Sequence, residues 1–149
     1  MAGREAYRER LWPSLGVWLV VPLMGVTAAV AVLPVSTVGA AVAATAVMAA
    51  LAGWAVRASP VVAVDHGHLV AGRARLPLRH VGVVEAWRGE DARAQRGPLL
   101  DARAHLMLRG WVGPVVTVRI DDPEDPTPYW VVSTRSPERL RDALVSASR

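Results

Sequence analysis

The stretch from Leu11 to Val56 holds 46 consecutive residues without a charged side chain. A break at residues 34–37 divides it into two apolar runs, 15–33 and 37–56, of 19 and 20 residues. A helix needs roughly 20 apolar residues to cross the hydrocarbon core of a bilayer. The stretch therefore predicts a transmembrane helical hairpin built from these two runs.

Arginines flank the hairpin at its open end. Arg4, Arg8 and Arg10 precede the first run, Arg57 closes the second, and the break between the runs has no charge. Because basic residues beside membrane helices stay on the cytoplasmic side, we expect two spans with both termini cytoplasmic and residues 1–14 as a cytoplasmic segment. A secretory signal peptide is the alternative for the first run, which exceeds the usual apolar region of about 7 to 15 residues.

Small residues recur at every fourth position of the second run. Ala41, Thr45, Ala49 and Gly53 share one helical face, and Gly25 begins a matching small patch on the first run. Small residues allow two membrane helices to approach closely. The stripe therefore predicts either packing of the hairpin on itself or association of copies into a homo-oligomer.

Charge and cysteine usage exclude several classes of function. All 17 basic residues are arginine, and residues 58–149 hold thirteen of them against eleven acidic residues. A nucleic-acid-binding domain concentrates far more positive charge on one face, so we expect no nucleic-acid partner. The chain has no cysteine, which excludes disulfides, thiolate metal sites and a cysteine nucleophile.

The residues after the hairpin read as one soluble domain over 61–149. A tether of three residues, 58–60, spans at most about 10 Å and holds this domain near the membrane surface. Short runs of β-branched and aromatic residues between turn signals predict a meander of about seven strands. The predicted strands cover 61–64, 69–72, 74–78, 82–87, 105–108, 115–120 and 129–134.

A single amphipathic helix is predicted at the end of the chain. Ser136 suits an N-cap and Pro137 the first helical position. The residues at helical spacing that would cover the sheet are Leu140, Ala143, Leu144 and Ala147. Residues 89–104, which are rich in Gly, Asp, Arg and Ala, are expected to be mobile or helical.

These elements define the predicted fold class. It is a membrane α-helical hairpin plus a mainly β α+β soluble domain. Strands followed by one C-terminal helix are typical of a small pleckstrin-homology-like barrel capped by that helix. This is an analogy of architecture, and a common fold of this kind carries many functions.

Residues 121–130 hold four acidic side chains, three prolines and two aromatic rings. Carboxylate oxygens bind divalent cations, but the spacing and glycine of a calcium loop are missing. Pro-Asp sequences also form turns for conformational reasons alone. A rigid turn is the favoured interpretation, ahead of a metal site. The third interpretation is contact with a partner through Asp122, Asp125, Tyr129 and Trp130.

Arginines in the second half of the domain give further candidates. Arg103 and Arg109 are candidate interaction residues, because a guanidinium pairs with carboxylates or takes a phosphate through two parallel donors. An internal ion-pair network, shared with Arg119 and Arg135, is the favoured alternative. Trp111 is most simply a core residue, but exposure beside Arg109 would indicate a binding surface.

Three arginines follow the hairpin closely. Arg73, Arg75 and Arg79 lie within about 20 residues of its end, in the range where basic clusters contact anionic lipids. They are the candidate lipid-headgroup residues.

Catalytic patterns do not stand out. The chain lacks a nucleophile elbow, a glycine-rich phosphate loop and paired catalytic carboxylates, and its four histidines have no metal-ligand spacing. We expect no cofactor and no enzymatic activity.

Three segments resemble a known family. They are YRERLW at residues 7–12, RGW at 109–111 and DPEDPTPYWVVSTR at 122–135. Together they are similar to a bacterial membrane family catalogued as domain of unknown function number three thousand and ninety-three. The resemblance covers essentially the whole chain. It implies a small two-span inner-membrane protein with a cytoplasmic domain, and no activity comes with it.

The combined expectation is a membrane-tethered, non-catalytic interaction domain at the cytoplasmic face of a bacterial inner membrane. It would bind a protein partner or an anionic lipid. The alternative is a small membrane-associated enzyme, or a metal-dependent accessory protein, with its site in the acidic loop 121–125.

Overall fold

The computed structural model describes residues 6–148. Arg4, part of the argument on orientation, lies outside the described residues. The chain forms two compact units. One is the helical segment Trp12–Ser59, and the other combines the described residues before Trp12 with those from Pro60 onward.

Eight strands and four α-helices make up the described chain. The strands are β1 (Tyr7–Arg10), β2 (Val61–Asp65), β3 (His68–Ala71), β4 (Ala74–Pro77), β5 (Val81–Trp87), β6 (His105–Met107), β7 (Val115–Ile120) and β8 (Tyr129–Ser133). The helices are α1 (Leu15–Val32), α2 (Thr37–Arg57), α3 (Gly89–Arg96) and α4 (Pro137–Ala147), and a 3-10 turn covers Leu78–His80.

The two apolar runs are helices, as predicted. Both α1 and α2 are long and apolar enough to cross a membrane, with mean hydropathy of 2.2 and 1.8 over an 18-residue window. The break between them is closed by Ser36, whose Oγ accepts a hydrogen bond from the Gly39 N–H at 3.0 Å. This is an N-cap, which satisfies one of the free donors at the start of α2.

The contact between α1 and α2 is closest at Gly25. An added Cβ there would lie 2.5 Å from Met48 Cγ and 3.5 Å from the Ala44 carbonyl oxygen. The stripe on α2 does not pack the hairpin on itself, because its residues Ala41 and Thr45 are exposed, so the first of the two predicted uses of the stripe is wrong. Association of copies through the stripe stays a prediction. The second helix is alanine-rich on several faces, so small-residue spacing alone does not identify the packed one.

A bulky residue at Gly25 should separate the helices, whereas the same residue in the exposed stripe should not. We expect Gly25→Ile to cost about 1 to 3 kcal/mol by overpacking. Thermal unfolding of the full chain in detergent measures this loss, with Ala49→Ile as the matched control. Equal destabilisation by both variants would contradict the observed packing.

Strand β1 was not predicted, and it belongs to the same sheet as the strands that follow the hairpin. It pairs antiparallel with β2, from Tyr7 opposite Val64 to Arg10 opposite Val61. The Leu11 N–H donates to the Pro60 carbonyl oxygen at 3.0 Å. The helical unit is therefore inserted between two neighbouring strands, and a domain defined as 61–149 lacks its first strand.

The strands form two separate sheets of four, ordered β1-β2-β3-β4 and β5-β7-β8-β6. The predicted closed barrel is wrong, because no strand pairing joins the two sheets within residues 6–148. The simple meander is also wrong, since β6 pairs in parallel with β8. The 3-10 turn Leu78–His80 separates the last strand of the first sheet from the first strand of the second.

One apolar core is shared by both sheets and α4. Its fully buried members include Val62, Leu69, Val116, Val118, Val132, Leu140 and Leu144. The predicted C-terminal helix is present, with Pro137 in its first turn, although the Ser136 side chain makes no capping hydrogen bond and Ala147 is exposed. The stretch 89–104 begins with α3, so its first half is helical.

A partly buried hydrogen-bond cluster joins β1 to the segment between β8 and α4. The Tyr7 hydroxyl donates to Glu9 Oε2 at 2.7 Å, and Thr134 Oγ1 donates to the same oxygen at 2.6 Å. The Arg135 N–H also donates to Glu9, at 3.1 Å. Burial is the main cause that raises the pKa of Tyr7 above its ordinary value. The cluster holds the short first strand in place.

Thr134→Val should loosen β1, because it removes the hydroxyl that donates to Glu9 and leaves the partly buried Ser136 N–H without its acceptor. A loss of about 1 to 3 kcal/mol is expected for such a change. Trypsin cleavage after Arg8 and Arg10 reports the opening of β1 and should accelerate. Thr45→Val, which removes a hydroxyl bonded only to the carbonyl of Ala41 in its own helix, is the control. Unchanged cleavage in Thr134→Val would contradict a role for the cluster.

Candidate functional site

The outer face of the second sheet carries the candidate site. Side chains alternate along β7, so Val116 and Val118 face the main core while Thr117 and Arg119 face the other way. Part of this outer face is covered by α3, whose Ala92 packs with Val115 and Val131 in a second apolar cluster.

A cleft of about 660 Å³ opens on the outer face beside this cluster. It is lined by strands β5 and β7, by the chain from α3 to residue 99 and by the loop between β7 and β8, residues 121–128. The lining residues are Val83, Glu85, Gln95, Leu99, Thr117, Arg119, Ile120, Asp125, Pro126, Thr127, Pro128 and Tyr129. Its volume is in the range of small-molecule and anchor-residue pockets.

Apolar side chains in the cleft are open to solvent. Val83 is 61% exposed and Leu99 is 62% exposed, and both line the cleft. The ring of Tyr129 and two prolines add further apolar surface. Concave apolar surface with a few polar groups is typical of a binding site.

Two hydrogen bonds fix the surroundings of the cleft. The Trp87 Nε1–H donates to Thr117 Oγ1 at 2.9 Å, which ties β5 to β7. The Tyr129 hydroxyl accepts from the Asp101 N–H at 2.7 Å, which ties the chain after α3 to β8. The cleft is therefore held by contacts between separate elements of the second unit.

The charged side chains that line the cleft are one arginine, Arg119, and two carboxylates, Glu85 and Asp125. Arg119 lies directly opposite Tyr129 in the strand register, and Glu85 lies opposite Thr117. The Arg119 Nε is 3.9 Å from Asp121 Oδ1, a loose and exposed ion pair. The exposed guanidinium of Arg119 is suited to bind a carboxylate, because it offers two parallel donors.

The acidic loop uses its carboxylates to shape its own backbone. Asp122 Oδ1 accepts from the Glu124 N–H at 3.0 Å, and Asp125 Oδ1 accepts from the Thr127 N–H at 2.8 Å. Hydrogen bonds from the side chain and backbone of Thr127 lower the pKa of Asp125 below its ordinary value. Within residues 6–148, no group of three or more His, Asp or Glu is placed to hold a metal ion.

The predicted interaction arginines do not share one site. Arg103 pairs with Asp101 at 3.1 Å, away from the acids of the loop. The Arg109 guanidinium donates to the Leu108 carbonyl oxygen at 2.8 Å, and the backbone N–H of Arg109 donates to Ser133 Oγ at 3.0 Å. Both are engaged in local structure.

The two predicted tryptophans belong to the core. Trp111 packs against the main core and donates from Nε1 to the Leu11 carbonyl oxygen at 3.3 Å. Trp130 is 7% exposed, and its ring centroid lies 4.5 Å from that of His105. Of the predicted interaction residues, Asp125 and Tyr129 line the cleft.

The predicted lipid-headgroup arginines divide into two groups. Arg75 lies on β4, an edge strand of the first sheet, and Arg73 lies in the turn before it. Arg79 lies in the following 3-10 turn, where its Nε donates to His80 Nε2 at 2.9 Å.

Several residues that line the cleft were not predicted from the sequence. Val83, Glu85 and Arg119 sit at outward positions of correctly predicted strands, and that alternation was a usable signal. Gln95 and Leu99 come from the stretch whose structure was left open. No local pattern shows that these three segments meet.

These features define the class of protein: an α+β unit of two sheets, with a pair of apolar helices inserted after its first strand. The chain belongs to the family described as Protein of unknown function (DUF3093), whose sequence profile matches residues 6–144. This confirms the family resemblance found in the sequence. No curated protein and no solved structure matches the chain.

If Asp125 stabilises the turn through its side-chain oxygen, Asp125→Asn and Asp125→Ala should differ in melting temperature. Asp125→Asn keeps a side-chain oxygen acceptor for the Thr127 N–H, so we expect it to retain the melting temperature at neutral pH, whereas Asp125→Ala should lower it. Because folding lowers this pKa, its stabilisation is present above about pH 4 and is lost as pH falls further.

Melting temperatures between pH 7 and pH 2 check both points. Asp125→Asn should flatten the acid-side decline, and Glu124→Gln is the control in the same loop. Equal loss at neutral pH in the Asn and Ala variants would contradict the turn-forming role.

Proposed function

We propose that the chain is a membrane-anchored, non-catalytic interaction module. Helices α1 and α2 span the inner membrane of a bacterial cell, and the β-rich unit lies in the cytoplasm. The cleft on its second sheet binds a protein partner.

The anchor rests on composition and connectivity. The helices are apolar and long enough to cross a bilayer. Because β1 and β2 are paired, both ends of the hairpin connect to one sheet, so both ends belong on one side of the membrane. Arg10 and Arg57 flank that side, while the connection between the helices is uncharged. This asymmetry supports a cytoplasmic location.

The exposed apolar surface of the cleft is the observation that supports partner binding. Val83 and Leu99 are more than half exposed in a concave site, which is costly for a surface without an occupant. Apolar anchors in pockets supply most of the energy of protein interfaces. The carboxylates of the loop, in contrast, already accept hydrogen bonds from their own backbone. That arrangement favours binding over an enzyme or metal-dependent site at 121–125.

The charges of the cleft suggest what the partner presents. Arg119 is the one basic side chain among the residues that line the cleft. It lies on β7 at the register position opposite Tyr129 of β8. A segment with a carboxylate next to an apolar side chain would satisfy both groups, since arginine pairs with carboxylates through two donors.

Site-specific photocrosslinking in native membranes tests this proposal. A photoreactive residue is placed at Val83 or Leu99 of the full chain. The control is Val145, which is 38% exposed on α4 and lies outside the cleft. We expect a discrete protein adduct from the two cleft positions and none from Val145.

A second substitution tests the charge. Arg119→Glu should reduce the adduct about tenfold or more, because reversing one partner of a charged contact costs a few kcal/mol. Adducts of equal yield from Val145, or no adduct from either cleft position, would contradict partner binding at the cleft.

A further inference from the structure

The loop 121–128, which forms one wall of the cleft, is attached at its start to the 3-10 turn Leu78–His80. The Asp121 N–H donates to the His80 carbonyl oxygen at 2.8 Å. The approach is close, because a Cβ added at Gly82 would lie 2.6 Å from Asp121 Oδ2. The position of this wall of the cleft therefore depends on the contacts around His80.

The imidazole of His80 makes a second contact with the same loop. Its Nδ1 lies 3.5 Å from Asp122 Oδ2, and the two side chains are 22% and 27% exposed. Asp122 Oδ1 accepts from the Glu124 N–H at 3.0 Å, and the Asp122 carbonyl oxygen accepts from the Asp125 N–H at 3.3 Å. Asp122 therefore connects His80 to the turn that leads to Asp125, which lines the cleft.

The other ring nitrogen of His80 has a different partner. The Arg79 Nε–H donates to His80 Nε2 at 2.9 Å. A ring nitrogen that accepts a hydrogen bond carries no hydrogen, so this neutral ring holds its hydrogen on Nδ1, toward Asp122. At 3.5 Å, Nδ1 is too far from the carboxylate for a good hydrogen bond. The neutral ring therefore holds Asp122 weakly.

Protonation of His80 changes both contacts. A hydrogen on Nε2 would face the Arg79 donor, so the Arg79 side chain, which is exposed, has to turn away into solvent. The charged ring attracts the carboxylate of Asp122, because a nearby opposite charge favours the ionised form of each group. Histidine is the side chain that ordinarily changes charge between about pH 5 and pH 8.

The loop side of His80 is acidic. Asp121 lies there with its Oδ1 3.9 Å from Arg119 Nε. After the hydrogen bonds from Thr127, the charges of His105 and His80 are further causes that lower the pKa of Asp125. Carboxylates of the loop therefore lie within electrostatic range of a charged His80.

The opposite side of the 3-10 turn packs against a hairpin turn that contains two further histidines. The Leu78 N–H donates to the Gly67 carbonyl oxygen at 2.9 Å. Beside it, Asp65 Oδ2 lies 2.7 Å from His66 Nδ1, and His68 Nδ1 lies 2.9 Å from the His66 carbonyl oxygen. Because histidines in general change charge near neutral pH, a test needs a control variant in this turn.

We propose that His80 is a positioning residue for the cleft: its protonated ring holds Asp122, and with it the loop 121–128, so that mild acidity favours partner binding. The inference rests on the proposed function, because it concerns the same cleft and the same protein partner. A loop that is already held in place loses less conformational entropy when the partner binds, and this raises the affinity.

Nuclear magnetic resonance of the ring nitrogens tests the contacts of His80. The full chain is labelled with 15N-histidine in detergent, and the signals lost in His80→Asn identify His80 among the four histidines. We expect its hydrogen on Nδ1 at about pH 8 and on both nitrogens after acidification. A neutral ring with its hydrogen on Nε2 would overturn the proposal, because Arg79 could not then donate to it.

A spin label at position 124 measures how firmly the loop is held. Glu124 is exposed, and the chain has no native cysteine, so Glu124→Cys can be labelled in the full chain. Acidification from about pH 8 to about pH 6 should lower the mobile fraction of the label about two- to fivefold, as for a single ion pair. Two variants should abolish this response. His80→Asn cannot become charged, and Asp122→Asn keeps a side-chain oxygen for the turn but loses the charge.

His66→Asn is the matched control, because asparagine tolerates the positive φ of 47° at this position. Its label should respond to pH as the label on the parent chain does. Absence of a response in the parent chain, or a response that survives in His80→Asn, would overturn the role of His80.

Photocrosslinking from Leu99 at two pH values connects the loop to binding. Leu99 lines the cleft from a segment other than the loop. We expect about two- to fivefold more protein adduct at about pH 6 than at about pH 8 in the parent chain and in His66→Asn, and equal yields in Asp122→Asn. Equal yields in the parent chain would overturn the link to binding. No adduct at either pH, with a loop that responds to pH, would overturn partner binding at the cleft and leave the positioning role of His80 intact.

Discussion

The antiparallel pairing of β1 with β2 is the constraint on which the rest of the structure depends. It joins the chain before the helical hairpin to the chain after it, so the helices become an insertion in one sheet. It also places Glu9 against Thr134, which ties the start of the chain to the segment before α4. The same pairing brings Arg8 onto the face of the first sheet that carries Arg75.

The sequence predicted elements whose signals are local. The ends of α1 and α2 fall within one residue of the predicted runs, because the absence of charge and the length of a span are properties of continuous segments. Helix α4 was predicted from Pro137 and two leucines for the same reason. Strand β1 was missed because it has four residues and its arginines were interpreted only as flanks of the membrane helix. The prediction of a barrel was wrong because the spacing of strands along the sequence does not determine which strands pair.

Only the part of the candidate site that lies in one continuous segment was predicted from the sequence. Asp125 and Tyr129 were found because their loop is unusual in composition, and both line the cleft. Glu85, Leu99 and Arg119 were missed because three segments distant in sequence bring them together. The acidic residues of the loop were considered as metal or partner ligands, but the carboxylates of Asp122 and Asp125 accept hydrogen bonds from the backbone of their own turn.

Disulfide formation between introduced cysteines tests the pairing of β1 with β2 most directly. Arg8→Cys and Ala63→Cys place the two thiols at register partners on one face of the sheet, in a chain without native cysteine. Arg8→Cys with Val62→Cys places them on opposite faces. The account predicts rapid oxidation of the first pair and little of the second, because a disulfide requires Cβ atoms about 4 Å apart. Equal oxidation of both pairs, or none of the first, would contradict it.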